Sequence, residues 1–275
     1  EDAPEAAGIV CMLFTFSGLA VLATTLLELR DPWLAILTAL PLLGTPFYLE
    51  YGVSHAADVP LSFFFLSTAA LICLHSERAA SRNGLLVLAG FAAGCAGWTK
   101  NEGLLFIVAV AAVQFAPVLL RRPKALGRFG SFAAGLAVPL AVILAFKLTI
   151  APANDIMTNR HYIELAGKIL STDRYVTILQ SVAGTFWSFG DWAVHPVVLF
   201  LLFIALRGIN REAFRDFGWR AGAVAFALVS AGYFAVYVMT PLDLRYHLDS
   251  SLQRLYLQLW PPFLLMCGLA AREAE

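Results

Sequence analysis

The chain has 275 residues, 60% of them hydrophobic and 14% charged, with a mean hydropathy of +0.75. Soluble domains average about 45–50% apolar and about 25% charged residues; a water-soluble globule and a disordered chain are both excluded, and four cysteines are too few for a secreted disulfide scaffold. Nineteen basic residues balance nineteen acidic ones, so the charge gives no sign of a nucleic-acid partner, and a polytopic all-α membrane protein remains.

A spanning helix needs about 20 mainly apolar residues. The apolar runs predict nine spans, at 8–27, 33–49, 59–75, 84–99, 103–120, 129–150, 192–206, 221–240 and 256–271, within one transmembrane domain covering 1–275. The runs are continuous rather than alternating, which disfavours a β-barrel. No cleavable signal peptide is visible, and a chain that opens on Glu1 is expected to be processed or truncated.

The connection 50–58 (EYGVSHAAD) brings Glu50, Tyr51, His55 and Asp58 to the mouth of the third span. Asp58, just ahead of Pro60, suits a helix cap. A carboxylate beside an imidazole at the membrane edge also suits a metal or a hydroxylated substrate. In the fourth span Gly90 and Gly94, with Gly97 one turn on, allow close helix approach. The turn 99–102 (TKNE) returns to the side of Asp58 with Lys100, Asn101 and Glu102; a lysine there is a compact donor for lipid phosphate, or else an interfacial anchor.

The connection 151–191 is long, and within it residues 175–190 (YVTILQSVAGTFWSFG) predict an interfacial helix with Phe186, Trp187 and Phe189 at headgroup depth. The last connection, 241–255 (PLDLRYHLDSSLQRL), is dense in donors and acceptors: Arg245, His247 and Asp249 alternate, and Arg254 follows. An interfacial belt or a polar binding site both fit that density. Cys11, Cys73, Cys95 and Cys267 lie in apolar runs without metal spacing and read as buried thiols.

Divided by this topology, the balanced charge becomes asymmetric. One set of connections holds twelve basic and seven acidic residues, Arg30, Arg121, Arg122, Lys124, Arg128, Arg207 and Arg220 among them; the other set holds seven and twelve. The basic side is expected to be cytoplasmic, with the N-terminus of the chain external and the C-terminus cytoplasmic in an inner membrane.

Three segments carry a family resemblance: ADVPLSFFFLSTAALICL, GLLVLAGFAAGCAGWTKNEGLLF and TPLDLRYHLDSSLQRLYLQLWP. They resemble the GT-C superfamily of polytopic glycosyltransferases, in particular protein O-mannosyltransferases and lipid A aminoarabinose transferases with a dolichyl-phosphate-mannose mannosyltransferase-like domain. The likeness covers about 8–120 and 240–262. It implies a first helix and a large external loop ahead of residue 1, with the catalytic acid of that family in the loop. It also implies transfer of a sugar from a polyprenyl-phosphate donor to a lipid, glycan or protein acceptor, outside the cytoplasmic membrane and among membrane lipids. On that reading Asp58 and Glu102 serve acceptor, metal or base-supporting roles. Lys100, Arg245 and Arg254 serve the phosphate, and His55, Asn101, His247 and Asp249 are polar substrate contacts. A divalent metal stays open, since scattered carboxylates are no coordination sphere. A transporter or flippase of a lipid-linked substrate, and a noncatalytic membrane scaffold, are the alternatives.

Overall fold

A computed structural model describes residues 4–77, 83–151 and 162–273. The elements are α1 (Pro4–Leu29), α2 (Pro32–Leu43), α3 (Pro46–Val53), α4 (Asp58–Glu77), α5 (Asn83–Thr99), α6 (Asn101–Leu119), α7 (Ala125–Thr149), α8 (Tyr162–Leu170), α9 (Thr172–Ser188), α10 (Pro196–Arg207), α11 (Phe217–Met239) and α12 (Leu244–Ala270). Among the described residues there is no strand, only an isolated bridge between Ile209 and Ala271. The protein is an all-α, multi-pass membrane bundle.

Five described helices are long and apolar enough to cross a membrane: α1, α4, α6, α7 and α11. The pair α2 and α3 makes a sixth if it counts as one span, bent by 67°. This falls short of the nine expected spans for identifiable reasons. The run 33–49 breaks at Gly44-Thr45-Pro46, because proline is favoured at the first position of a new helix. The apolar helices α5 and α10 are 17 and 12 residues long, and α12 opens with polar turns. Large side chains such as Leu119 and Leu148, 70% and 83% exposed, face outward as a lipid-solvated surface allows.

Two apolar cores flank α4. On one side Phe65 stacks on Phe106 with ring centroids 4.0 Å apart, among Leu61, Leu86, Phe132 and Val229. On the other, Leu22, Leu26, Leu42, Tyr48, Leu66, Leu257 and Leu265 join α1, α2, α3, α4 and α12. The central helix therefore carries Asp58 at one end with packing on both sides.

Gly90 and Gly94 of α5 face α7, as close-approach spacing predicts, while Gly97 meets Ile107 of α6 and Ile143 of α7. A Cβ on Gly90 would collide with the carbonyl of Phe132, and one on Gly135 with the carbonyl of Val87. The turn expected at 99–102 contracts to a single non-helical residue, Lys100, since α6 begins at Asn101. Gly103 makes this possible, because only a missing side chain lets α6 lie on the backbone of Ala96 and Gly97.

The opposite end of the bundle is tied by charge. Asp31 caps α2 by accepting from Leu34 N at 2.8 Å, and also accepts from Arg207 at 3.0 Å. Arg30 donates to the carbonyl of Leu269 at 3.2 Å. Asp31→Ala is expected to cost about 1–3 kcal/mol, a lost cap and a charged hydrogen bond together, read as a lower thermal midpoint in detergent.

Two further expectations change. The connection 241–255 is helical from Leu244 onward, capped by Asp243 accepting from Tyr246 N at 3.0 Å. A helix is present over most of 175–190 as α9, with Phe186 and Trp187 exposed, while Phe189 just beyond it is 3% exposed and packs on Tyr256 and Trp260. Arg78, Arg82 and Arg160, used in the charge asymmetry, lie outside the described residues.

Candidate functional site

Asp58 is the first residue of α4 and is fully buried. Among the described residues its partners are side chains rather than helix N–H groups. Oδ1 accepts from Lys100 Nζ at 2.8 Å and from Gln258 Nε2 at 2.6 Å. Oδ2 accepts from Arg254 Nε at 2.9 Å, and Nη2 of the same guanidinium pairs with it at 2.9 Å. Three donors, two of them on cationic groups, occupy one carboxylate, which leaves it poorly suited to ligate a metal. Among the described residues no three of His, Cys, Asp and Glu gather into a metal site.

Each partner is delivered by a different constraint. Lys100 sits at the one-residue turn between α5 and α6, whose tightness depends on Gly103. Its ammonium also pairs with Glu102 at 3.1 Å, so one cation joins two carboxylates. Arg254 and Gln258 lie four residues apart on α12, hence on one face. Gln258 is fully buried, and its Oε1 accepts from the Tyr233 hydroxyl of α11 at 2.7 Å. The carboxylate assigns the amide: an ionised Asp58 only accepts, so Nε2 faces it and Oε1 turns to the Tyr233 hydroxyl.

Toward the polar end of α12 the same face continues. Ser251 bonds the Tyr237 hydroxyl at 2.8 Å, and His247 Nδ1 lies 2.9 Å from Thr240 Oγ1. Partial burial pulls the His247 pKa below the usual imidazole range, favouring the neutral ring. The stripe His247, Ser251, Arg254, Gln258 therefore runs down to Asp58.

The other expected residues lie apart from this network. Arg245 and Asp249 are exposed on another face of α12. His55 is exposed in the link between α3 and α4. Asn101 is exposed and accepts from Lys147 Nζ at 2.6 Å, which sets a third cation beside the Lys100 turn. Tyr233 and Gln258 were not anticipated. A lone glutamine entering an apolar run before Trp260-Pro261-Pro262 is the signal that points to Gln258, because such a group needs a partner.

An apolar groove of about 550 Å³ opens beside the network. Its walls include Phe186 of α9, Phe234 of α11, and Tyr256 and Phe263 of α12, and Tyr233 lines it as well. Helix α9 is fixed over it by Arg174 donating to the carbonyl of Tyr237 at 3.0 Å, and by Tyr256 donating to the carbonyl of Val182 at 3.0 Å. Tyr233 links the two: it lines the groove and donates to Gln258, which in turn donates to Asp58.

Comparison with known proteins places the fold. The crystal structure of ArnT from Cupriavidus metallidurans in the apo state superimposes with a TM-score of 0.50 at 14% identity, covering 95% of this chain and 44% of that one. The chain thus spans less than half the length of that structure, and the likeness shows a shared GT-C fold. No curated protein matches the chain. Residues 2–147, more than half of the chain, match the family model for dolichyl-phosphate-mannose-protein mannosyltransferase, and the chain belongs to that family of GT-C polytopic proteins.

Proposed function

We propose that this protein is a membrane glycosyltransferase that moves a sugar from a polyprenyl-phosphate donor to an acceptor hydroxyl at the external face of the cytoplasmic membrane. The observation that carries the reading is the junction of two surfaces: a cation pair, Lys100 and Arg254, fixed on one buried carboxylate, beside an apolar groove of about 550 Å³. A polyprenyl phosphate has the matching halves, an apolar chain and an anionic head. Residues 1–275 act as one membrane domain, with the basic end cytoplasmic and the Asp58 end external.

In this reading the acceptor oxygen attacks the anomeric carbon, the bond from that carbon to the phosphate oxygen breaks, and the electron pair leaves with the lipid phosphate. The hydroxyl proton passes to a base that this chain is not assigned. Arg254, whose side chain is 37% exposed, meets the developing phosphate charge, with Lys100 behind it at 20%. Asp58 anchors both cations. Glu102, 28% exposed, holds Lys100 and faces the acceptor side, with His247 and Asn101 as polar contacts at the rim.

The test is transfer from a labelled polyprenyl-phosphate sugar in reconstituted membranes. Arg254→Ala is expected to lower kcat/KM by about 100-fold or more, the scale of a lost donor to developing negative charge. Arg245→Ala, exposed and remote from the Asp58 cluster, is expected to stay within about threefold. Equal effects of the two substitutions would contradict the assignment of the phosphate to the Asp58 cluster.

A further inference from the structure

We infer that Gln258, clamped by Tyr233, is a positioning residue that fixes the orientation of the Asp58 carboxylate and thereby the register of Lys100 and Arg254. This rests on the function proposed above, since it explains how that site holds its cations.

A buried carboxylate with two cationic partners can rotate about its Cβ–Cγ bond and trade partners between oxygens. The amide prevents this. Its Nε2 takes a second acceptor direction of Oδ1 at 2.6 Å, so that Oδ1 faces Lys100 and Gln258 while Oδ2 faces Arg254. The amide itself is held from the far side, because the Tyr233 hydroxyl at 2.7 Å satisfies Oε1 and opposes a flip that would set oxygen against carboxylate. Both Gln258 and Asp58 are fully buried, so no water competes for these bonds at the protein surface. Gln258 reaches no open space of its own. Its action on a lipid phosphate therefore passes through Asp58 and the two cations.

Tyr233 adds a second consequence, because its ring also lines the apolar groove. The chain Tyr233, Gln258, Asp58 is a continuous hydrogen-bonded path from the wall of the groove to the cation pair. An apolar tail seated against Tyr233 presses on the group that orients the phosphate-binding cations.

The test uses Gln258→Leu, which keeps volume but removes both bonds, and Tyr233→Phe, which removes only the clamp. Two readouts are taken on reconstituted protein that retains its wild-type thermal midpoint to within a few degrees. The first is the rate at which Lys100 is acylated by an amine reagent, followed by mass spectrometry. The expected result is a rise of about threefold or more for Gln258→Leu and a smaller rise for Tyr233→Phe, as Lys100 loses a fixed partner. The second is steady-state transfer, in which the KM for a polyprenyl-phosphate sugar rises about tenfold while the KM for the acceptor stays constant. A merely structural glutamine would not split the two constants. Unchanged Lys100 acylation and unchanged donor KM in Gln258→Leu would overturn the inference. If Gln258→Leu does not fold, Tyr233→Phe decides by the same readouts. If the wild type transfers no sugar, the proposed function fails, while the acylation rates still judge the positioning role.

Discussion

Asp58→Asn is expected to lower transfer by at least about 100-fold and to lower the thermal midpoint as well. The substitution keeps the shape of the side chain but removes the charge that two cations share, and its amide nitrogen turns a donor toward donors. Arg254 then loses the carboxylate it pairs with among the described residues, whereas Lys100 keeps Glu102. Breaking a buried ion pair from one side costs about 3–5 kcal/mol, and the partial exposure of Arg254 discounts the stability part of that figure. The larger effect falls on function, because the donors proposed to meet the phosphate are no longer held in one place. Glu102→Gln, at a half-exposed carboxylate that shares Lys100 with Asp58, is expected to cost less than tenfold. A variant at Asp58 that folds and transfers normally would show that the cluster is only a packing device.

Gly135→Leu is expected to prevent stable assembly of the bundle, and Gly135→Ala to cost about 3 kcal/mol or more, at the upper end of overpacking penalties. The neighbour that an added Cβ would strike is the backbone carbonyl of Val87, not the flexible end of a side chain. Gly90 meets the carbonyl of Phe132 in the same way from the other helix, so the two glycines form a reciprocal seam between α5 and α7. Separating those helices also displaces the end of α5 that positions Lys100. Yield of monodisperse protein and thermal midpoint check this. Gly127→Ala, where nothing lies within 4 Å of an added Cβ, is the matched control and is expected to be neutral or slightly stabilising.

The apolar runs made the bundle legible, because continuous hydrophobicity over a span length has few other solutions in water or lipid. The spacing of Gly90, Gly94 and Gly97 likewise announced a close seam, though not that α7 is the partner. The meeting of Asp58 and Lys100 was legible, because the turn 99–102 returns the chain to the end of the bundle that carries Asp58. The choice between Arg245 and Arg254 was not, because 241–255 reads as a loop by its polarity. Once the segment is helical, periodicity near 3.6 separates His247, Ser251, Arg254 and Gln258 from Arg245 and Asp249. Tyr233 was hidden for a different reason: an aromatic residue in an apolar run reads as core, and its hydroxyl gains meaning only from a residue 25 positions away. The kink after Gly44 was available in the Thr45-Pro46 pair, yet the hydrophobicity of 33–49 outweighed it.

In the proposed function a polyprenyl phosphate lies with its chain in the groove between α9, α11 and α12 and its phosphate on Arg254 and Lys100. Photolabelling with a polyprenyl phosphate that carries a photoreactive group in its chain tests it most directly. Crosslinks are expected to concentrate on groove residues such as Phe186, Phe234 and Tyr256, to be competed by unlabelled polyprenyl phosphate and to be strongly reduced in a folded Arg254→Ala variant. Crosslinks spread evenly over the lipid-facing surface, or unchanged by Arg254→Ala, would contradict it.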